Sequence, residues 1–118
     1  MGKIDVLVTH DAPYGISTGF RGQLQGSRLI STLIARTQPK FHVTGHYHHL
    51  NGPRREGKTL SLSLGSLVAS SRWKPEARGL QAGCLAILDT DAGTVSAVTG
   101  AWLSTFPTPF DFDAWTAP

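Results

Sequence analysis

Three histidines lie within four residues of one another, at positions 46 to 49, directly after the short apolar run Phe41 to Thr44. Imidazole is the side chain that most often binds transition metals, so the cluster is a candidate metal site. In an extended segment, His46 and His48 would leave the same face about 7 Å apart. This spacing favours two neighbouring metals over one, because the ions of a two-metal site lie about 3.5 to 4 Å apart. Gly45, just before them, lacks a Cβ and lets the backbone turn sharply near an ion.

The elements before this cluster are expected to bring His10 close to it. The runs Lys3 to Thr9 and Lys40 to Thr44 are typical of β-strands, and the first is apolar enough for a strand buried on both faces. Between them Ser27 is a suitable N-cap for a short amphipathic helix, with apolar residues at helical spacing: Leu29, Ile30, Leu33 and Ile34. A strand, helix, strand unit places the carboxyl ends of both strands at one edge of a sheet. We therefore expect His10 and His46 to meet there, although His10 by itself is more typical of a capping or hydrogen-bonded histidine.

The remaining segments predict one long loop, further strands and a tail. Residues 14 to 26 are rich in glycine and are typical of a functional loop or lid. Turn signals at 51 to 53 and 56 to 58 precede Thr59 to Leu64, in which leucine alternates with Thr or Ser as in a half-buried strand. An exposed loop is expected from Ser70 to Gly79. The runs Gly83 to Thr90 and Thr94 to Thr99 predict a hairpin, and an aromatic, proline-rich tail follows from residue 102.

Composition limits the class of protein. With 118 residues, 40% of them hydrophobic and 16% charged, the chain is one folded domain or part of one. The net charge of +3 and the pI of 9.4 suit an anionic substrate, but the basic residues are too scattered to indicate a nucleic-acid surface. The single cysteine, Cys84, excludes an internal disulfide and is typical of a small apolar residue packed in a strand. With no signal pattern and no spanning apolar run, we expect a cytoplasmic protein without a membrane partner.

Two motifs carry a resemblance to a known family. Val8 to Pro13 and Val43 to His48 resemble the last two signature motifs of the calcineurin-like metallophosphoesterases, in which a lone histidine ends one strand and Gly-His-x-His ends the next. Ser63 to Leu67 is similar to the family's Asn-Pro-Gly-Ser strand, with Ser63 and Leu64 in place of Asn and Pro. The resemblance covers residues 3 to 100 approximately.

The resemblance implies a fold and a chemistry. The fold would be α/β (α+β), with this chain forming the C-terminal half of a four-layer αββα sandwich over residues 1–101, followed by the tail at 102–118. The site would hydrolyse a phosphomonoester or phosphodiester with two divalent transition metals, which imidazole allows to be Mn, Fe, Zn or Ni. His10 and His46 would bind one metal and His48 the other. Candidates to support these ligands or to contact substrate are Asp11, Gly45, His49 and Arg21.

The family's earlier motifs are missing from this sequence. An Asp-x-His, a Gly-Asp and a Gly-Asn-His motif should lie upstream of His10, and nothing before His10 matches them. The resemblance therefore implies a fragment, one subunit of a split enzyme, or a remnant. We expect little or no phosphoesterase activity from the chain alone. We also expect the missing N-terminal half, a companion chain or a second copy to cover its sheet.

Two other classes of function stay open at this point. The chain could be a small binding or interaction module in which the histidines are structural or hold one metal. A weaker alternative is a nucleic-acid-binding domain that uses the aromatic tail and four basic residues: Arg54, Arg55, Arg72 and Lys74. The sequence does not decide whether the chain is an enzyme by itself, nor which phosphoester a complete form would hydrolyse.

Overall fold

The computed structural model describes residues 3–16, 22–67 and 79–105. Arg21, most of the predicted loop at 70–79 and the tail beyond residue 105 lie outside these ranges. The elements are β1 (Val6–Thr9), α1 (Arg28–Thr37), β2 (Phe41–Thr44), β3 (Asn51–Glu56), β4 (Thr59–Ser63), β5 (Leu85–Asp89), β6 (Thr94–Val98) and a 3-10 helix (Ala101–Thr105). They form a four-stranded sheet in the order β1-β2-β4-β3 and a two-stranded sheet, β5-β6. The predicted α+β class is confirmed, and the four-layer arrangement stays a prediction.

The predicted strand, helix, strand unit is present. The side chain of Ser27 accepts a hydrogen bond from the backbone N–H of Ile30, which confirms Ser27 as the N-cap of α1. Gln38 ends the helix in the left-handed conformation, with φ of 43°, and its N–H donates to the Ile34 carbonyl. β1 then pairs with β2 in parallel, from Val6 opposite Phe41 to Thr9 opposite Thr44. Both strands therefore end at the same edge of the sheet.

The two sheets pack against each other through one apolar cluster. Phe41 on β2 and Leu62 on β4 are buried against Val95 on β6. Half-buried residues surround them: Leu50, Leu60, Leu64, Ala86 and Leu88. Burying a side chain of this size contributes about 1.5 to 3 kcal/mol, so this cluster is the main apolar contribution to the fold in the described residues.

β4 is more buried than its alternating sequence predicts. Thr59, Ser61 and Ser63 are buried, as is Leu62, so the Thr/Ser face of the strand does not face solvent. β4 lies between β2 and β3, and its hydroxyls are paired inside the sheet: Thr59 Oγ1 donates to the Pro39 carbonyl at 2.6 Å. The alternation therefore separates an apolar face from a hydrogen-bonded polar face.

The turn expected at residues 51 to 53 is part of an edge strand. Asn51 to Glu56 form β3, which pairs antiparallel to β4 with a register shift between Asn51 and Arg54. Gly52 lies in this bulge with φ of 99°, and a Cβ there would come within 2.8 Å of the Ser61 carbonyl oxygen. Pro53 is tolerated because edge strands and bulges leave backbone N–H groups outside the ladder. Residues that commonly form turns thus form a bulge here.

β1 is not buried on both faces, contrary to the expectation from its apolar sequence. Val6 is 39% exposed and Val8 is 72% exposed. Among the described residues β1 pairs only with β2, and the core cluster between the sheets draws its members from β2, β4 and the hairpin. The strand therefore lies at an open edge of the sheet.

The hairpin is as predicted, and a second small cluster lies beside it. β5 and β6 pair antiparallel, from Leu85 opposite Val98 to Asp89 opposite Thr94. Cys84 directly precedes β5 and is buried with Leu80 and Leu103. Leu103 belongs to the 3-10 helix, in the first residues of the predicted tail. A membrane-spanning helix needs about 20 apolar residues, and no helix in the described part of the chain meets that requirement.

Candidate metal centre

The parallel pairing of β1 and β2 brings His10 and His46 together. His10 directly follows β1, and His46 follows β2 after Gly45. The centroids of the two rings are 4.6 Å apart, with the planes tilted by 53°, and both residues are exposed. Rings this close could both bind one ion at the usual metal–nitrogen distance of about 2.0 to 2.1 Å. The expected convergence is confirmed, and metal binding stays a prediction.

The segment after Gly45 is bent, so the extended geometry expected for His46 and His48 is not found. Both residues have positive φ, 73° for His46 and 63° for His48, and the N–H of Tyr47 donates to the Gly45 carbonyl at 2.9 Å. A residue other than glycine in this region costs about 1 to 3 kcal/mol and persists where the surroundings impose it. Bending, rather than alternation along a strand, therefore sets the directions of these side chains.

Asp11 connects the His10 loop to the His46 turn. Its Oδ1 accepts hydrogen bonds from the Tyr47 hydroxyl and from the Ala12 N–H, both at 2.8 Å. The Tyr47 hydroxyl oxygen accepts from the Gly26 N–H at 3.0 Å. Burial raises the pKa of Tyr47, and the bond to Asp11 and its negative charge raise that pKa further, against a lowering effect of the Gly26 bond. Tyr47 therefore remains a neutral donor between His46 and His48.

Thr44 holds the same loop from the end of β2. Its Oγ1 lies 2.9 Å from the His10 carbonyl oxygen and 2.8 Å from that of Asp11, so one hydroxyl proton serves two carbonyls. The backbone link at this place is weak, since the Gly45 nitrogen lies 3.4 Å from the His10 carbonyl oxygen. Side chains, more than the sheet ladder, thus position the His10 loop.

The loop predicted between Tyr14 and Gly26 is closed at its base. The N–H of Gly15 donates to the Gln25 carbonyl at 2.7 Å, and the N–H of Ser27 donates to the Ala12 carbonyl at 2.8 Å. The Tyr14 N–H reaches the Ser31 hydroxyl on α1 at 2.9 Å. These bonds place the start of α1 beside the His10 loop, and the function of the segment as a lid stays a prediction.

His42 is a residue of this region that sequence reasoning missed. It lies inside β2, is fully buried, and has a partner at each ring nitrogen: Thr9 Oγ1 at 2.7 Å from Nε2 and Ser61 Oγ at 2.8 Å from Nδ1. Burial lowers the pKa of His42, and the negative charge of Glu56 opposes that shift in part. The signal available in the sequence was a histidine inside an apolar strand, whereas its hydroxyl partners, Thr9 and Ser61, follow only from the order of the strands in the sheet.

The other predicted site residues do not join a larger cluster. His48 and His49 are exposed, and His49 Nδ1 lies 2.7 Å from the Tyr47 carbonyl oxygen. Across residues 3–16, 22–67 and 79–105, no three His, Cys, Asp or Glu side chains are grouped so that they could hold a metal. The chemistry of the donors suits a transition metal, but His10 and His46 would need further ligands from elsewhere.

An apolar cavity lies next to the histidine pair. It has a volume of about 260 Å³ and opens beside Thr9, Thr44 and Gly45 at the carboxyl edge of the sheet. Its remaining walls are mainly apolar and come from β1, β2, the segment after β4 and the residue before β5: Val8, Val43, Leu64, Gly65, Leu67 and Cys84. Part of the exposed surface of β1 therefore faces this cavity.

Half of the chain is similar to curated proteins. A UPF0046 protein of Caenorhabditis elegans is 40% identical over 63 residues, which are 48% of this chain and 22% of that protein. Metallophosphoesterase domain-containing protein 1 of Homo sapiens is 34% identical over 59 residues, which are 48% of this chain and 18% of that protein. The similarity supports a relationship to the metallophosphoesterase family.

The match is partial on both sides. The chain spans about a fifth of the length of these curated relatives, as the shares of 22% and 18% show. A scan against protein-family models finds no match, and a search of solved structures finds none either.

Proposed function

We propose that this chain is the C-terminal part of a metal-dependent phosphoester hydrolase. The observation that carries the proposal is the pair of histidines, His10 and His46, at the point where two parallel strands end. The centroids of their rings are 4.6 Å apart. Ligands of α/β proteins bind at this edge of a sheet. The similarity to Metallophosphoesterase domain-containing protein 1 agrees with this chemistry.

His10 and His46 would hold one divalent metal and His48 would contribute to a second, with Mn, Fe, Zn or Ni all acceptable to imidazole. When bound, such metals supply a hydroxide nucleophile and stabilise negative charge on phosphoester oxygens. Asp11 and Thr44 hold the His10 loop in place, and Tyr47 ties it to the His46 turn. Gly45 permits the close turn before His46. His49 and Arg21 are weaker candidates for contact with the substrate. The further metal ligands would come from residues beyond the described ones.

The proposal includes a second body of protein. Val8 is 72% exposed on a strand with an apolar sequence, and among the described residues only β2 pairs with β1. An N-terminal half, a companion chain or a second copy would cover this edge and supply carboxylate ligands. The chain alone would then have little or no activity. The single cysteine fits a reducing, cytoplasmic location.

The decisive test measures metal content and hydrolysis of bis-p-nitrophenyl phosphate with added manganese. It compares the chain alone with the chain extended by the upstream genomic sequence. We expect only the extended form to bind about two metals per chain and to turn over. His46→Ala should abolish that activity, whereas Lys58→Ala, at an exposed residue in the turn between β3 and β4, is the control and should leave the activity unchanged. Turnover by the chain alone, or an extended form that binds no metal, would contradict the proposal.

The second candidate is a binding module that holds a single metal. The observation that favours it is the histidine pair without a third His, Cys, Asp or Glu ligand among the described residues. This candidate predicts a stable monomer that binds one ion and has no hydrolytic activity in either form. The nucleic-acid alternative is weakened, because Arg54 is engaged by Glu56 and by the Gly15 carbonyl.

A further inference from the structure

A series of hydrogen bonds links the middle of the four-stranded sheet to Asp11, in the loop that carries His10. Ser61 Oγ on β4 contacts His42 Nδ1, and His42 Nε2 contacts Thr9 Oγ1 at the end of β1. Thr9 Oγ1 donates to the Asp11 carbonyl at 2.6 Å. The Asp11 carboxylate then accepts from the Tyr47 hydroxyl, next to His46. The series therefore crosses three strands before it reaches the site.

The direction of each bond follows from the chemistry of the groups. A carbonyl oxygen can only accept, so the single hydroxyl proton of Thr9 is used on Asp11. The Thr9 oxygen must then accept from His42, which places a proton on Nε2. In the neutral ring, Nδ1 of His42 is an acceptor, and the Ser61 hydroxyl donates a hydrogen bond to it. Full burial disfavours the charged ring, in agreement with this neutral Nε2–H tautomer.

We propose that His42 is a positioning residue for the site formed by His10 and His46, and that it acts by holding the Thr9 hydroxyl on the Asp11 carbonyl. The inference rests on the proposed metal-binding function of those two histidines. β1 is an edge strand in the described residues, and the backbone bond beyond its end is long, 3.4 Å between Gly45 N and His10 O. The loop therefore depends on side-chain anchors.

The same sheet offers a matched control at its opposite end. Thr59 is fully buried, and its hydroxyl donates to the Pro39 carbonyl at 2.6 Å, the same distance as from Thr9 to Asp11. Pro39 lies before the start of β2, at the opposite end of that strand from His10 and His46. Thr9→Val and Thr59→Val each remove one such hydroxyl and keep the shape of the side chain. Only Thr9→Val removes a member of the series. If Thr9 had a purely structural role, the two substitutions would have equal effects on the site formed by His10 and His46.

The first measurement uses the unmodified chain. Nitrogen-15 NMR of the histidine rings reports which nitrogen of His42 carries the proton. We expect the Nε2–H tautomer, together with nuclear Overhauser contacts between the rings of His10 and His46. The Nδ1–H tautomer would overturn the proposal. In Thr9→Val the ring contacts should weaken, whereas Thr59→Val should retain them.

The second measurement is the affinity of each variant for Zn²⁺ by calorimetry. Loss of a group that supports a metal ligand typically lowers metal affinity by about 10- to 100-fold, and we expect a loss in that range for Thr9→Val. Thr9→Ser keeps the hydroxyl and should restore the affinity, and Thr59→Val should leave it unchanged. Equal losses for Thr9→Val and Thr59→Val would overturn the proposal. If the unmodified chain binds no Zn²⁺, the same calorimetry is run on the variants of the chain extended by the upstream genomic sequence. An extended form that binds no Zn²⁺ contradicts the proposed function, while the ring contacts in the unmodified chain still test the positioning role.

Discussion

Two histidines four residues apart on the same segment have opposite environments. His42, inside β2, is fully buried with a hydroxyl at each ring nitrogen, whereas His46, beyond the end of β2, is exposed on a bent turn beside His10. The same contrast separates β4, which is buried on both faces, from β1, whose Val8 is largely exposed. The described chain thus consists of a packed part that carries the fold and an open edge that carries the candidate chemistry.

The largest effect should come from the packed part. Leu62 is fully buried between the sheets, and Leu62→Ala should lower the free energy of unfolding by about 2 to 5 kcal/mol, because it leaves a cavity. Val8→Ala is the control on the open edge and should cost far less. Urea unfolding measures both. Similar losses of unfolding free energy for the two variants would contradict the difference in burial between β4 and β1.

The next effect concerns metal binding at the open edge. Loss of a group that only supports a metal ligand lowers metal affinity by about 10- to 100-fold. His46→Ala removes a proposed ligand itself and should weaken Zn²⁺ binding by more than that. Its effect on unfolding should be small, because the side chain is exposed. Calorimetry gives the affinity, and His49→Ala is the comparison. If both variants bind equally well, His46 is not a ligand.

A smaller effect is expected where the two parts are joined. Tyr47→Phe removes the hydrogen bond that the hydroxyl donates to Asp11 and the one that it accepts from the Gly26 N–H, and should cost about 1 kcal/mol of stability. The metal affinity should fall as well, since the His10 loop and the His46 turn lose their connection. Chemical unfolding and calorimetry on the same samples provide the two numbers. An unchanged affinity would limit Tyr47 to a structural role.

The smallest effect is a dependence of stability on pH. The pKa of His42 is lowered in the folded state, so its contribution to stability is present above the unfolded value of 6.5 and is lost as pH falls toward the folded value. The free energy of unfolding should therefore decrease between neutral pH and the region below 6.5. Denaturant titrations of the unmodified chain and of His42→Gln measure this difference. The variant should lack that part of the decrease, and identical pH profiles would contradict the burial argument.

Local patterns predicted much of the fold. The cap at Ser27, the helix it begins and the hairpin of β5 and β6 are consequences of nearby residues, and each is found. The bulge at Gly52 was missed, because glycine and proline at 51 to 53 are compatible with a turn and with an irregular edge strand. Only pairing with β4 distinguishes the two.

For the site, the sequence by itself determined the donor types and the places where they follow strands, since strand periodicity and a connecting helix bring His10 and His46 to one edge. Only the tertiary structure decided the roles of His42 and Val8. Burial and hydrogen bonding depend on residues distant in the chain, with Ser61 facing His42 across the sheet. Neighbours in the sequence do not determine them, because the order of strands in the sheet decides which side chains are covered.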